Sequence, residues 1–140
     1  MVIMSVDVGK VRTGVALCDK MQKLAFPLCV VNEKNQKKVL IKICDLASEH
    51  SVEKIVVGLP KNMNGSEGES AVKARKFAEE LSRMSKIETV LQDERGTTIT
   101  AHNYLNVTDT RGKKRKNVVD SVAATIILQN YLDRVKTEKC

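Results

Sequence analysis

Asp7 is the first residue in this sequence whose type and position could do chemistry. It interrupts the apolar, β-branched run of residues 2–8, where an acid is costly to bury without a partner. The turn after it, from Gly9 to Gly14, lets a ligand approach the backbone closely and contains Arg12. A carboxylate, two glycines and an arginine around one turn could hold a metal ion and a phosphate. A turn cap or a structural ion pair is the alternative.

Asp120 is a second acid in an apolar context. It lies near the start of the most apolar helical pattern in the chain, residues 117–132. At helical spacing, the residues that share its face are Ala123, Ala124, Ile127 and Tyr131. An acid in the first turn of a helix is often stabilised by the helix dipole alone. On a core-facing stripe it needs a partner, and Asp7 with a shared cation would provide one.

A third acidic position follows the last predicted strand, which ends in Asp93-Glu94-Arg95. Successive residues of a strand point to opposite faces, so at most one of the two acids can join a common cluster. Glu94 is in phase with Gln92, whereas Asp93 is in phase with Leu91. We therefore expect Glu94 on the metal side and keep Asp93 as the alternative. A solvated pair of charges at a strand end is the remaining possibility.

The chain carries a formal net charge of +7, and a large part of it lies in the hexapeptide of residues 111–116. This segment directly precedes Asn117 and Asp120, so a loop here would overhang a site at Asp120 and collect phosphate charge. A concentrated basic patch is typical of proteins that bind nucleic acid, although many such runs are solvated loops. Its candidate phosphate ligands are Arg111, Lys113, Lys114, Arg115 and Lys116.

These residues must be positioned by a chain of alternating strands and helices. The apolar patterns predict strands over 2–8, 14–18, 24–31, 54–58 and 87–92, and helices over 36–50, from Ser66 onward, 97–105 and 117–135. Ser66 and Glu69 have the spacing of a capping box, and Pro27 marks the third strand as an edge strand. This order predicts a single α/β domain, residues 1–140, with a mixed sheet and helices on its faces.

Several classes of protein are excluded. No apolar run is long enough for a transmembrane helix, and the first residues lack the pattern of a signal peptide, so we expect no membrane association. The four cysteines form no CxxC pair, which argues against a zinc site, and no Walker A, GxGxxG or GxSxG motif occurs.

Four ordered segments resemble motifs of the YqgF family, also called the RuvX family of Holliday junction resolvases and proposed pre-16S rRNA nucleases. The segments are Asp7-Val-Gly-Lys-Val-Arg12-Thr-Gly14, Val57-Gly-Leu-Pro60-Lys-Asn-Met-Asn-Gly65-Ser, Asp93-Glu94-Arg95 with Thr97-Thr98, and Lys116-Asn-Val-Val-Asp120. They span most of the chain and occur in the family's order.

The resemblance implies an RNase H-like fold, with a five-stranded mixed sheet flanked by helices on both faces. It also implies a cytoplasmic bacterial nuclease that depends on Mg²⁺ or Mn²⁺, held by Asp7, Glu94 and Asp120. Arg12, Lys61 and Arg95 would contact phosphates beside the basic segment. The substrate would be precursor 16S rRNA, processed at its 5′ end during ribosome biogenesis, or, in an older proposal, four-way DNA junctions.

One departure from the wider RNase H-like pattern concerns the fourth strand. Related resolvases have an acid at its end, whereas this strand ends in Gly58-Leu-Pro60. The third acid must then come from the fifth strand, about 10 Å of backbone from Asp7 at the usual strand spacing.

Two other functions remain open from the residues alone. A non-catalytic nucleic-acid-binding module would use the basic segment without cleavage, and a small-molecule phosphatase would leave that segment unexplained. Neither the choice between RNA and DNA nor the choice between monomer and homodimer can be read from the motifs.

Overall fold

Five short apolar runs form one mixed sheet. The computed structural model describes residues 1–60, 66–93 and 112–139, with side chains in the last segment described from residue 122 to residue 135. The strands lie in the order β3-β2-β1-β4-β5, with β1–β2 and β2–β3 antiparallel and β1–β4 and β4–β5 parallel. Their bounds are Val2–Asp7 (β1), Arg12–Cys18 (β2), Ala25–Asn32 (β3), Val52–Leu59 (β4) and Glu88–Asp93 (β5). The predicted mixed sheet of five strands is confirmed.

Three helices in the described residues cover the two faces of the sheet. They are α1 (Gln36–Glu49), α2 (Glu69–Ser85) and α3 (Gly112–Lys139). The amphipathic pattern of α1 begins where Asn35 caps the helix, because Asn35 Oδ1 accepts a hydrogen bond from the Lys38 amide at 3.1 Å. None of these helices combines the length and apolar character needed to cross a membrane.

The face under α1 and α2 holds the larger apolar core. Met4 and Val6 of β1 pack there with Ile55 and Val57 of β4 and with the completely buried Phe77 of α2. Because strand side chains alternate, the intervening residues face α3. The sheet is thus buried on both sides, which explains the nearly continuous apolar run of β4.

The face under α3 combines apolar packing with polar contacts. Ile3 and Val56 pack there against a set of α3 residues that includes Ala124, Ile127, Leu128 and Tyr131. Ser5 Oγ donates a hydrogen bond to the Ala124 carbonyl at 2.6 Å, which fixes α3 against β1. The two cores share only the backbone of the sheet between them.

The strand β3 lies at one edge of the sheet, as Pro27 predicts. Pro27 pairs with Ala16, and the register between β2 and β3 shifts between Val15 and Ala16. An irregular, proline-containing edge is a poor template for pairing with another strand.

Two local predictions are wrong. Helix α2 begins at Glu69 with Gly68 as its N-cap and has no side-chain cap, so the Ser66 capping box is absent. Glu67 instead accepts two hydrogen bonds of 2.7 Å from Arg75, which lies in the second turn of the helix.

The basic segment is the second error, because α3 begins at Gly112 rather than after an Asn117 cap. Lysine and arginine are good helix formers, so a basic composition does not by itself indicate a loop. The predicted helix over 97–105 lies outside the described residues.

Candidate active site

The candidate site lies where β1, β4 and β5 end. These three strands are parallel, so their carboxyl ends meet at one edge of the sheet. At this edge stand Asp7 of β1, Gly58 of β4 and Gln92 of β5. The crevice beyond the carboxyl ends of parallel strands is the usual binding site in open α/β sheets.

Asp7 lies on the α3 face of the sheet. It is in phase with Ile3 and Ser5, which both contact α3. Arg12 begins β2 and is in phase with Ala16, which also packs on this face. The acid and the arginine of the predicted turn therefore share one face at one edge.

The tight turn between β1 and β2 brings these two residues together. A Cβ at Gly9 would overlap the carbonyl oxygen of Arg12, so only glycine fits this position. After the turn, Asp7 pairs with Gly14, which has no side chain to cover the carboxylate. This geometry supports the reading of Gly9 and Gly14 as residues that admit a close ligand.

Gln92 occupies the same face on β5. The pairs Val6–Val57 and Gly58–Gln92, continued by one residue, place Asp7, Gly58 and Gln92 in one row across the sheet. Gly58 separates the two side chains without contributing one of its own. Gln92 Oε1 is buried, and no hydrogen-bond partner for it is present in the described part of the chain. A buried acceptor without a partner costs free energy unless a ligand satisfies it.

The helix α3 runs antiparallel to β1 and passes over this row. Ile3 packs among Tyr131 and Leu132, whereas Ser5 contacts Ala124, eight residues earlier than Leu132. Continuing in this direction, Asp7 lies about 7 Å beyond Ser5, and the helix backbone at Asp120 lies about 6 Å beyond Ala124. The backbone of Asp120 therefore lies beside the end of β1. The described members of its predicted stripe are all buried.

The two alternatives for the third acid differ in phase. Asp93 is in phase with Leu91, which packs on the α1–α2 face, so it faces away from Asp7. This favours Glu94 as the hypothesis, although Glu94 itself lies outside the described residues. Within residues 1–60, 66–93 and the described part of α3, no three His, Cys, Asp or Glu side chains form a metal-binding group.

The predicted phosphate ligands are described unequally. Arg12 lies at the site, whereas Lys61, Arg95 and Arg111 lie outside the described residues. The backbone of the remaining four is in the first turns of α3: Lys113, Lys114, Arg115 and Lys116. In the sequence, Gln92 serves only to show the phase of Glu94. The signal that could have identified Gln92 itself is that it is a polar residue in a largely apolar strand, two positions before the candidate ligand Glu94.

The sequence profile of a family described as "RuvX: Holliday junction resolvase" matches residues 1–134. The chain belongs to the RuvX family. The resemblance drawn from the four sequence segments is thereby confirmed.

Relatives of this RuvX-family chain are similar over nearly their whole length. A protein from Caldanaerobacter subterraneus subsp. tengcongensis is 44% identical over 136 residues, which cover 96% of this chain and 97% of that protein. One from Bacillus cytotoxicus is 42% identical over 133 residues, with 94% and 97% covered. Both are named as proposed pre-16S rRNA nucleases.

Solved structures identify the fold as RNase H-like. The RuvC protein of T. thermophilus, in complex with a Holliday junction substrate, superimposes with a TM-score of 0.61 at 12% identity and covers 98% of this chain and 97% of that one. The Holliday junction resolvase of fowlpox virus gives a TM-score of 0.56 at 14% identity, with 96% and 99% covered. At such identities the likeness concerns the fold alone.

The donor atoms of this RuvX-family site suit a hard divalent cation. Mg²⁺ and Mn²⁺ prefer oxygen ligands from carboxylates, carbonyls and amides. The Asp7 carboxylate and the buried, unsatisfied Gln92 Oε1 offer such oxygens on one face. The described residues therefore fit the divalent ion that the resemblance implies.

Proposed function

We propose that this chain is a Mg²⁺- or Mn²⁺-dependent nuclease that processes the 5′ end of precursor 16S rRNA. The observation that carries the proposal is the convergence at one sheet edge of Asp7, the unsatisfied Gln92 oxygen and the α3 backbone at Asp120. The names of relatives above 40% identity support precursor rRNA as the substrate. The cytoplasm, where ribosomes are assembled, is the location that goes with this substrate.

The proposal assigns a role to each candidate residue of the site. Asp7, Glu94 and Asp120 are the carboxylates that would hold the ion, and Asp93 is the weaker alternative to Glu94. When bound, the ion lowers the pKa of water and offsets the negative charge of the leaving oxygen. Gln92 would present a neutral oxygen to the ion on the same side. Arg12 binds a non-bridging phosphate oxygen from β2, at the mouth of the turn.

Phosphate contacts from α3 complete the proposed site. Arg111 and the basic residues that follow it in α3 would bind phosphates, as would Lys61 and Arg95. A helix that carries its basic residues in its first turns presents positive side chains together with the positive end of the helix dipole. Both attract a polyanion.

The second candidate function is the resolution of four-way DNA junctions. Two observations favour it: the description of the family and the likeness in fold to resolvases solved with junction DNA. Symmetric cleavage of a junction normally requires two active sites in a symmetric dimer. Junction resolution therefore predicts a homodimer, whereas trimming of one RNA strand does not.

Paired cleavage assays test the proposal. Wild-type protein and Asp7→Asn are incubated with a precursor 16S rRNA 5′ fragment or a four-way DNA junction, with Mg²⁺, Mn²⁺ or EDTA. We expect metal-dependent cleavage of the RNA by the wild type and none by the variant. Cleavage of the junction alone would establish the second candidate. Binding to both substrates without cleavage would establish a non-catalytic module.

A further inference from the structure

A basic groove lies on the face of the molecule opposite α3. It has a volume of about 760 Å³ and runs between the start of α1 and one side of α2. Its six basic residues are all exposed, and Glu80 is the one acid among the described residues that line it. The basic residues are Lys10, Lys34, Lys37, Lys73, Lys76 and Arg83.

The cations of the groove outnumber the one described acid that lines it, Glu80, which lies one helical turn from Lys76 and from Arg83. The ion pairs Lys54–Glu88 and Arg75–Glu67 lie outside the groove and involve none of its basic residues. Six like charges around one groove repel each other and oppose folding. A bound polyanion would offset this repulsion.

The start of α1 strengthens this conclusion. The first turn of α1 contains no acid, although acids are the residues that stabilise the positive end of a helix dipole. Lys37 lies in this turn, and Lys34 lies just before it. The lysines and the helix dipole thus act in the same direction, and both favour a bound anion.

The spacing of the cations on α2 indicates a polymer rather than a small anion. Lys73, Lys76 and Arg83 follow each other at three and seven residues, so they share one side of the helix. They extend over about 15 Å of helix axis, the length occupied by about four phosphates of one strand in a duplex. Exposed side chains spread along a line suit a sugar–phosphate backbone, whereas a nucleotide requires donors that converge on one point.

The groove is continuous with the candidate active site. Gly9 and Lys10 line the groove and belong to the turn that directly follows Asp7. Asp7 faces α3, whereas the groove lies on the α1–α2 side of the sheet. A strand that crosses the sheet edge at Gly9 would therefore meet both surfaces.

We propose that the α1–α2 groove binds the phosphate backbone of the nucleic-acid strand that flanks the cleaved bond. This inference rests on the proposed nuclease function and specifies the path of its substrate. The substrate leaves the acids on one face, crosses the turn at Lys10 and continues along α2 on the other face. The α3 basic segment and the groove are then two separate phosphate-binding surfaces on either side of the cleaved bond.

The test compares two triple variants that remove the same charge. Lys73→Gln, Lys76→Gln and Arg83→Gln change the groove, whereas Lys20→Gln, Lys23→Gln and Lys42→Gln change exposed lysines outside it. Each protein is titrated in EDTA at a series of KCl concentrations with a fluorescent single-stranded RNA of about 20 nucleotides, which exceeds typical single-strand site sizes. Circular dichroism verifies that each variant is folded.

We expect the groove variant to flatten the log–log salt slope by about 2, which corresponds to about hundredfold weaker binding at 0.1 M salt. The control variant should stay within about threefold of the wild type. In cleavage assays the groove variant should raise KM and leave kcat nearly unchanged. Equal slopes for the two variants would overturn the groove assignment. If the wild type itself does not cleave RNA, the proposed function is overturned instead. Failure of the groove assignment and failure of the proposed function are therefore distinguishable.

Discussion

The two faces of the sheet are built differently. Under α1 and α2, a large apolar cluster is closed by side chains such as Phe77 and Leu81, both fully buried. Under α3, the core is smaller and contains polar side chains: Ser5 bonded to Ala124, Lys54 bonded to Tyr131 and Gln92 with its unsatisfied oxygen. Polar groups inside a core cost free energy unless they are satisfied.

The difference assigns stability and chemistry to different faces. The α1–α2 face stabilises the sheet through its apolar core. The proposed phosphate binding of this face takes place on its outer surface, in the basic groove. On the α3 face, the carboxyl ends of β1 and β5 carry Asp7 and Gln92, the described residues of the proposed site. Substitutions on the two faces should consequently separate loss of stability from loss of cleavage.

Substitution of the proposed metal ligands Asp7 and Asp120 gives the largest expected effect. Asp7→Asn and Asp120→Asn should each reduce cleavage by about three orders of magnitude, and the double variant should be no worse than either, because groups that act as a unit are not additive. Single-turnover rates on the RNA fragment measure this, with thermal unfolding as the check on folding. Multiplying losses in the double variant would mean that the two residues do not hold the same ion.

A large core substitution on the other face should reverse this pattern. Phe77→Ala should reduce the free energy of unfolding by about 3–5 kcal/mol through loss of burial and a residual cavity. Cleavage per folded molecule should change little, because Phe77 packs on the sheet face opposite to Asp7. Urea denaturation and initial rates are measured on the same samples.

Leu128→Ala is the matched substitution on the α3 face, since Leu128 is also fully buried. It should reduce both stability and cleavage, because it loosens the helix that carries Asp120. An equal loss of cleavage in Phe77→Ala and Leu128→Ala would remove the distinction between the faces.

A substitution at Gln92 should separate stability from cleavage at a single residue. Gln92→Leu removes a buried acceptor that has no partner in the described structure, so stability should hold or rise by about 1 kcal/mol. Cleavage should fall about 10- to 100-fold, the size of effect that follows when a residue supporting a metal site is replaced. Calorimetry with Mn²⁺ should show weaker binding by the variant.

Gln92→Glu is the control, because it keeps an oxygen at this position and should retain most of the cleavage. If Gln92→Leu cleaves RNA and binds Mn²⁺ like the wild type, Gln92 has no part in the site.

The smallest expected effect is a pH dependence at the far end of the α3 face. Burial raises the pKa of the Cys18 thiol above its ordinary value of 9.0, although the hydrogen bond from the Ile3 amide opposes this. The thiol then ionises more readily in the unfolded chain. Its contribution to stability is therefore complete below pH 9 and is lost as the pH rises toward the folded-state pKa.

Cys18→Ser keeps an acceptor for the Ile3 amide but does not ionise in this range. The variant should lose less unfolding free energy than the wild type between neutral pH and the alkaline region, measured by urea denaturation. Parallel pH curves for the two proteins would show that Cys18 ionisation makes no difference to stability.

Much of the fold could be predicted because local patterns determine it. The strands and α1 follow from apolar runs and spacing to within about two residues, and Pro27 identifies the edge strand. The start of α3 could not be predicted, since a run of lysine and arginine suits an exposed helix as well as a loop. The capping-box spacing reveals neither the Gly68 N-cap of α2 nor the contact between Glu67 and Arg75.

The candidate site was predictable in part for the same reason. Asp7 and the phase of Glu94 come from strand alternation, which is local. The groove could not be predicted, because Lys10, Lys37 and Lys76 are brought together by three different elements. Counting charge along the chain pointed to one basic segment, whereas folding creates a second surface from dispersed lysines.

The hydrogen bond between Ser5 and Ala124 has a consequence for protein synthesis, because it joins residues 119 positions apart in the chain. The strand β1 is therefore made well before the helix that covers it. A nascent chain can pair β1 with β2 and β4 while α3 is still missing. During translation, the proposed catalytic residues Asp7 and Asp120 can therefore come together only after α3 has left the ribosome.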